Sequence, residues 1–416
     1  MSSAHRLRAR VYCVGTELLT NASDRHGPSL AARLDAAGLR VVERRLLEDD
    51  RSLLEAAMER ALAEPGLTVV TGGLGPTDDD LTRDALASAA GVELHDDERI
   101  AAGLHERVKA WGREEASERV LRQAQVPEGA TVLDNPVGSA PGLLFDKGAS
   151  VVLLLPGPPH ELAALLDGGA LDRAIARADE LDPDAVLDAW PRRKLILTGM
   201  GESSLNERIE SLVPDEMVLA ILAGQGRLSL ELKARDAAVL DETMTAVKKE
   251  LGRHVVSDDG RTLEEVLVAI LTERFESLGT VESCTGGGIA AAITSVPGSS
   301  EIFKRGLVTY SNDAKQQLLG VPAELLAEHG AVSRPVAEAM AVGGRLATES
   351  DFCLSVTGIA GPGGGSEEKP VGLVHFGLSL PDGTVVHREK VFEGDRGQVR
   401  ARSVAHALDL LWWNLV

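Results

Sequence analysis

Residues 280–288 read Thr280-Val281-Glu282-Ser283-Cys284-Thr285-Gly286-Gly287-Gly288, and their order decides the fold of the C-terminal part of the chain. An apolar run (Leu278 to Val281) leads in, a serine and a cysteine stand where it ends, and three glycines open the helical stretch Ile289-Ala290-Ala291-Ala292-Ile293. A strand, a nucleophile-bearing turn and a helix in that order present a hydroxyl beside unpaired backbone N–H groups. The same residues also suit a tight turn in which glycine serves only close packing. The loops that follow weigh between the two.

A second strand, residues 305–310, runs into Ser311-Asn312-Asp313-Ala314-Lys315. Asn312 is a natural N-cap, which places Lys315 in the first turn of a helix over 313–319. The partial positive charge of a helix N-terminus disfavours an ammonium there, and burial would lower its pKa further, giving a neutral, base-competent amine. A lysine reaching solvent is the alternative. A third strand, 352–356, opens the loop Thr357-Gly358-Ile359-Ala360-Gly361-Pro362-Gly363-Gly364-Gly365-Ser366, richer in glycine than an ordinary turn needs and suited to an anion. Three loops at strand carboxyl ends can share one crevice. The C-terminal histidines (His329, His375, His387, His406) sit in loop, strand or helix contexts without evident partners. Serine with a lysine base is an established substitute for the histidine triad in acyl transfer, the oxyanion being held by backbone N–H groups of the Ser283 turn. Cys284 is the rival nucleophile, since a helix N-terminus lowers a thiol pKa.

Upstream, a buried strand over 10–14 leads to Gly15-Thr16-Glu17-Leu18-Leu19. Helix 28–37, strand 39–46, helix 52–63 and strand 67–70 follow, and the last delivers Thr71-Gly72-Gly73-Leu74-Gly75-Pro76-Thr77-Asp78-Asp79-Asp80. This alternation predicts a parallel sheet with ligands at the carboxyl ends of its strands. The glycine turn permits close approach to a phosphate, and Asp79 and Asp80, joined by Asp49, suit a divalent metal beside it. In the middle, strand 194–198, a helix capped by Ser203 or Ser204, a hairpin of 218–222 with 227–234 around Gly224-Gln225-Gly226, and helix 236–251 carry no evident chemistry, so a structural role is expected.

At 416 residues, two or three domains are expected, and 44% hydrophobic residues suffice for their cores. Aromatic content of 3% argues against base-stacking platforms, and a net charge of -21 (64 acidic against 43 basic residues) repels phosphate backbones. Direct nucleic-acid binding is therefore not expected. Three dispersed cysteines, Cys13, Cys284 and Cys353, make neither a disulfide framework nor a zinc site. With no run long enough to span a bilayer, a soluble cytoplasmic protein is expected.

Two resemblances cover most of the chain. Residues 282–287, Val308-Thr309-Tyr310-Ser311-Asn312-Asp313-Ala314-Lys315, Gly330-Ala331-Val332-Ser333, 357–362 and Lys369-Pro370-Val371-Gly372 resemble the C-terminal domain of the CinA (competence/damage-inducible) family. Its members are nicotinamide mononucleotide (NMN) amidohydrolases, giving nicotinate mononucleotide and ammonia without a metal. The resemblance implies Ser283 and Lys315 as catalytic groups, with Tyr310 orienting the lysine. It implies substrate contacts at Glu282, Cys284, Thr285, Gly286, Gly287, Asn312, Thr357, Gly358, Ile359, Ala360 and Gly361, and Arg396 is a further cationic candidate for the 5′-phosphate. Gly15 to Leu19, Thr71 to Asp80, Asn135-Pro136-Val137-Gly138-Ser139-Ala140-Pro141-Gly142 and Leu155-Pro156-Gly157-Pro158-Pro159-His160-Glu161-Leu162 resemble the molybdopterin-binding (MoCF) domain at the N-terminus of CinA proteins. That resemblance implies an ADP-ribose pyrophosphatase using divalent metal, with nucleotide contacts at Gly15, Glu17, Gly72, Gly73, Gly75, Thr77 and Ser139. The chain departs from the pattern at Thr20-Asn21-Ala22-Ser23-Asp24-Arg25-His26, where the family runs through a glycine-containing loop to Asp-Thr-Asn. Binding without cutting is the expectation this departure adds.

The expected architecture is α/β throughout. A MoCF-like three-layer parallel-sheet domain (1–170) is followed by a small α/β domain (171–255) and a CinA-type α/β domain (256–416), and a homodimer is implied by the resemblance. A nucleotide-binding or partner-binding competence or DNA-damage protein with little catalysis is the competing reading. A molybdopterin-handling enzyme is a third.

Overall fold

The computed structural model describes residues 5–20, 23–110, 117–224 and 226–416. Asn21 and Ala22 of the departing loop and Gln225 of the hairpin turn lie outside them. The chain divides into two compact units, Met1–Trp190 and Pro191–Val416.

The first unit is a six-stranded sheet in the order Arg40–Leu47, Arg8–Val14, Gly66–Thr71, Ser150–Leu155, Gly142–Lys147 and Thr131–Leu133. The first four strands are parallel; the last two are antiparallel, so the expected parallel sheet ends in a hairpin edge. Side chains that alternate along each strand fill a core on either face. Val11, Cys13 and Val69 pack with helix His26–Ala36 and helix Ala170–Leu181, while Tyr12, Val14 and Val70 pack with Arg51–Ala63 and Thr82–Ala90. The boundary expected after residue 170 falls inside this unit. Ala174, Ile175 and Ala178 are buried in the first core, and Ala185–Val186 pairs in parallel with His5–Arg6, so the unit extends to Trp190.

The second unit joins the segments expected to be separate at 255/256. Its small antiparallel sheet runs Val218–Gly224, Arg227–Lys233, Arg192–Leu197, Val255–Ser257. Thr198 and Arg227 both donate to buried Asp409 on the final helix, Arg396–Leu415, and Trp412 donates through its indole N–H to the Arg253 carbonyl at 2.9 Å. The helix expected to be capped by Ser203 or Ser204 starts earlier, at Glu202, with Gly201 as N-cap.

The larger sheet is ordered Phe303–Val308, Leu278–Glu282, Phe352–Gly358, Leu373–Ser379, Val385–Val391. The first three are parallel and the last two antiparallel. Strand Leu278–Glu282 lies centrally, with its sequence successor on one side and Phe352–Gly358 on the other. The chain thus leaves it in opposite directions, and the crevice beyond its carboxyl end is where such sheets bind ligands. Helix Arg334–Thr348 covers one face through Val336 and Met340 against Val281. Helices Leu263–Arg274, Gly288–Thr294 and Arg396–Leu415 cover the other. Among the described residues no helix is long and apolar enough to cross a membrane.

Candidate active site and nucleotide pocket

The Ser283 turn is held by its neighbours before any ligand is considered. The Ser283 N–H continues the sheet to the Val356 carbonyl (3.0 Å), and the Ser283 carbonyl accepts from Gly286 N–H (3.1 Å). Gly286 (φ +61°) and Gly287 (φ +93°) are in the left-handed region, where a side chain is strained. A Cβ on Gly286 would also stand 3.3 Å from Arg400 Nη2.

Glu282, expected to contact substrate, is 1% exposed and turns inward. Its carboxylate accepts from Thr285 Oγ1 (2.7 Å), Ile289 N–H (3.0 Å) and Ala290 N–H (2.8 Å). A strand-end carboxylate thereby satisfies the open donors of helix Gly288–Thr294 and locks the turn that carries Ser283. Glu282→Gln sets an amide N–H against one of these donors, so the second unit should lose about 1–3 kcal/mol of stability. Urea unfolding followed by a probe of that unit reads this, and an unchanged transition would remove the locking role.

Lys315 is 1% exposed and reaches the turn from the next strand–helix junction. Its Nζ lies 3.3 Å from Ser283 Oγ, 2.8 Å from the Thr309 carbonyl and 3.4 Å from the Tyr310 carbonyl. Burial pushes its pKa below the ordinary lysine value, opposed only by the Cys284 sulfur. The helix cap is Ser311, not Asn312: Ser311 Oγ accepts from Ala314 N–H at 3.1 Å, and Asn312 is exposed one position later.

Tyr310 meets the lysine through its backbone carbonyl. Its phenol is 60% exposed and accepts from Arg396 Nη2 at 3.0 Å, while Arg396 Nη1 donates to the Gly361 carbonyl at 2.9 Å. Arg400, one turn further along, donates to the Thr285 carbonyl at 2.7 Å. Sequence reasoning missed it, although its i,i+4 spacing from Arg396 puts both on one helix face.

Cys284 points into the hydrophobic core, and burial raises its thiol pKa to about 11, with the charge of Glu282 adding to the shift. Thr357 Oγ1 donates to the Ala331 carbonyl (2.8 Å); Gly358 pairs with Val374, and Ile359 N–H with the Leu373 carbonyl. Thr357 to Ile359 therefore build the wall, Ala360 is buried behind it, and the exposed loop begins at Pro362. The histidines expected to stand alone have partners: His375 Nδ1 lies 3.1 Å from His387 Nε2, and His406 packs edge-on against Phe376. None bonds to Ser283 or Lys315.

In the first unit, Gly15, Glu17, Asp49, Gly72, Gly73, Gly75, Asp79, Asp80 and Ser139 line one cavity of about 870 Å³ at the carboxyl ends of the parallel strands. Arg25, His26, Gln123 and Glu161 line it too. Gly72 is required by close approach, since a Cβ there would collide with the Val14 carbonyl. Thr77 is not in the wall; its N–H (2.8 Å) and hydroxyl (2.6 Å) donate to Asp80 Oδ2. Asp49 Oδ2 likewise accepts from Thr16 N–H (2.8 Å) and Oγ1 (3.0 Å). The expected Asp49, Asp79, Asp80 metal set does not converge: Asp49 is engaged by Thr16 and Asp80 by Thr77, and among the described residues no group of three or more His, Cys, Asp or Glu side chains is placed to hold a metal ion. His26 Nε2 lies 2.9 Å from the Gly157 carbonyl, which ties the described end of the departing loop to the pocket, and Asp24 Oδ1 accepts from Gly27 N–H at 2.7 Å.

Comparison with known proteins gives two family matches in chain order: the "probable molybdopterin binding domain" family over residues 10–172, and the CinA C-terminal domain family over residues 260–415. A protein of Moorella thermoacetica, named as competence-damage inducible, is 40% identical over 98% of this chain and 99% of its own. A CinA-like protein of Parasynechococcus marenigrum is 39% identical over 96% of each chain. The crystal structure of the competence/damage inducible protein CihA from Agrobacterium tumefaciens is 45% identical over 37% of this chain and 93% of its own, with a TM-score of 0.36.

Proposed function

The chain belongs to the CinA family, and from that premise we propose that its C-terminal site is an amidohydrolase acting on NMN through a Ser283–Lys315 pair. The observation that carries this reading is the buried Lys315 amine 3.3 Å from the Ser283 hydroxyl. Once neutral, the amine keeps its two N–H groups on the Thr309 and Tyr310 carbonyls and turns its lone pair to Ser283 Oγ. Ser283 Oγ attacks the carboxamide carbon while Lys315 takes its proton. The resulting oxyanion is met by N–H groups of the turn. Those of Ser283, Gly286, Ile289 and Ala290 are already bonded, so the donors are other N–H groups of the turn, each contributing about 3 kcal/mol. The lysine ammonium then protonates the departing –NH2 group, which leaves as ammonia; a water, deprotonated by the same amine, attacks the serine ester, and the lysine returns that proton to Ser283 Oγ as nicotinate mononucleotide is released. Arg396 and Arg400 stand where they can pair with the 5′-phosphate.

The N-terminal cavity supports a second reading, the binding of a nucleoside diphosphate such as ADP-ribose against the Gly72–Gly75 turn. The carboxylates that would carry a metal do not converge among the described residues, so this reading is of binding without hydrolysis.

One experiment separates the readings: full-length protein incubated with NMN and with ADP-ribose, each with EDTA or with added Mg²⁺. Ammonia from NMN in EDTA is the expected result. AMP from ADP-ribose in Mg²⁺ would restore the pyrophosphatase to the first unit. Neither product would leave a binding protein and overturn the amidohydrolase.

A further inference from the structure

Residues 134–141 of the first unit contribute to two cavities. One is the cavity that the Gly72–Gly75 turn lines; the other, of about 250 Å³, lies against helix Glu98–Ala110. Ser139 stands in both walls. Gly138, in the smaller wall, is so close to Glu161, in the larger, that a Cβ on it would collide with that carboxylate. The partition is held by Asn135, whose Oδ1 accepts from Val137 N–H (3.2 Å) and Gly138 N–H (2.9 Å). Its Nδ2 donates to the Ala140 carbonyl (2.8 Å) and to Glu161 Oε2 (2.7 Å). The smaller cavity falls below the usual range for a small-molecule site, so it has room for one end of a ligand.

The two cavities differ in charge. The larger sets five carboxylates, Glu17, Asp49, Asp79, Asp80 and Glu161, against Arg25 and His26. The smaller has Arg99 and Arg107 against one carboxylate, Asp134, which is already paired with Arg99 at 2.8 Å. Arg107 makes no ion pair with a described residue. Its Nη2 donates to the Asn135 carbonyl (3.0 Å) and the Pro136 carbonyl (3.3 Å), which fixes the guanidinium on the partition. Nη1 and Nε bond to no described residue, and the side chain is half-buried in the cavity wall, so both are within reach of a ligand. The Ser139 hydroxyl also lacks a partner among the described residues. A fixed guanidinium with spare N–H groups beside a free hydroxyl suits a phosphate. A phosphate among the five carboxylates is repelled; on the other side of Ser139 it meets the uncompensated cation.

We propose that the smaller cavity is a phosphate subsite. It holds a terminal phosphate monoester on the sugar of a nucleoside diphosphate sugar whose nucleoside part occupies the larger cavity. The nucleoside half of this inference rests on the nucleotide-binding reading of the first unit; the phosphate half stands on Arg107 and Ser139 alone. Ser139, reached from both sides, is where the ligand crosses the partition.

The test titrates full-length protein with ribose 5-phosphate and with ribose by calorimetry. Ribose 5-phosphate should bind where ribose does not, and Arg107→Ala should weaken its binding at least tenfold. Gly103 supplies a second variant that favours the helix: it lines the smaller cavity, and nothing stands within 4 Å of a Cβ there. Gly103→Glu therefore sets a carboxylate in the cavity and should weaken binding as much. ADP-ribose 1″-phosphate should bind at least tenfold more tightly than ADP-ribose, and Gly103→Glu should erase that gain while leaving the affinity for ADP-ribose unchanged. No binding of ribose 5-phosphate overturns the proposal. So does binding that survives both variants, the result expected if only the arginines of the C-terminal site hold the phosphate, and so does equal affinity for the two nucleotides when both bind. Ribose 5-phosphate held through Arg107 with no ADP-ribose bound would instead remove the nucleotide reading and leave the subsite standing.

Discussion

Ser283→Ala is expected to lower kcat for NMN deamidation by about 10³-fold or more with Cys284 left in place, measured as ammonia release at saturating NMN. The magnitude follows from losing the nucleophile while the turn's N–H donors, Lys315 and the arginines remain. The usual objection to a serine variant beside a cysteine is substitution by the thiol. Here that route is closed twice. Cys284 is 5% exposed and packs in the core cluster with Ile289 and Leu354. Its pKa of about 11 leaves roughly one thiolate in ten thousand at pH 7. Substantial turnover in Ser283→Ala would mean that Cys284 swings out of the core and takes the proton-transfer role with Lys315, and the assignment would reverse. KM separates the two ways of losing rate. An unchanged KM with collapsed kcat identifies a group that acts on the reacting carbon, whereas a raised KM would move Ser283 to substrate binding.

The strand–turn–helix that carries Ser283 was readable because its signals are local: an apolar run, then a hydroxyl, then glycines. The approach of Lys315 was readable only as a position at a helix start. Its depth was not, because the groups that receive it are the carbonyls of Thr309 and Tyr310, and backbone acceptors leave no mark in a sequence. That also explains the misplacement of Tyr310, whose side chain faces Arg396 while its carbonyl faces the lysine. Glu282 was misread for a different reason. An acid at a strand end beside a nucleophile resembles a substrate contact, yet seven and eight residues on lie the open N–H groups of a helix whose glycine N-cap has no side chain to offer. An uncapped helix start was the available clue. Ser311 and Asn312 are adjacent and equally good caps, so only the backbone decides between them. In the first unit, three aspartates after a glycine turn suggested a metal. Thr77, three residues before Asp80, was a local sign that this carboxylate had a nearer partner, whereas the bond from Thr16 to Asp49 joins loops 33 residues apart and leaves no mark in the sequence. The boundary read at 170 agrees with the family match, which ends at 172, while the compact unit runs on to Trp190 because a Gly-Gly pair ends one helix there and starts another that returns to the same core.

Lys315→Met should remove deamidation as fully as loss of the serine, and it should also stabilise the second unit in a pH-dependent way. A buried amine has its pKa depressed, because desolvation penalises the charged form and no carboxylate offsets it. The catalytic consequence is that kcat/KM for the wild type rises with pH through the folded-state pKa of Lys315, below the usual lysine range, and then levels. The stability consequence has the opposite origin. Between the folded pKa and the unfolded value near 10.5 the unfolded chain binds more protons than the folded one, so unfolding free energy rises with pH across that window. Below the window the lysine is charged in both states and the full desolvation cost lies on the folded state; above it the amine is neutral in both and the cost vanishes. Methionine has similar length and no charge, so the variant should gain most below the folded pKa, and its advantage should shrink to the packing difference alone as pH approaches 10.5. Thermal midpoints of both proteins across pH read the trend, and the wild-type rate profile should break at the pH where the stability difference begins to fall. A difference that stayed constant with pH would mean that Lys315 holds an ordinary pKa in the folded chain. Such a lysine would not be a base at neutral pH, and the Ser283 hydroxyl would need another acceptor for its proton, which no side chain bonded to it supplies.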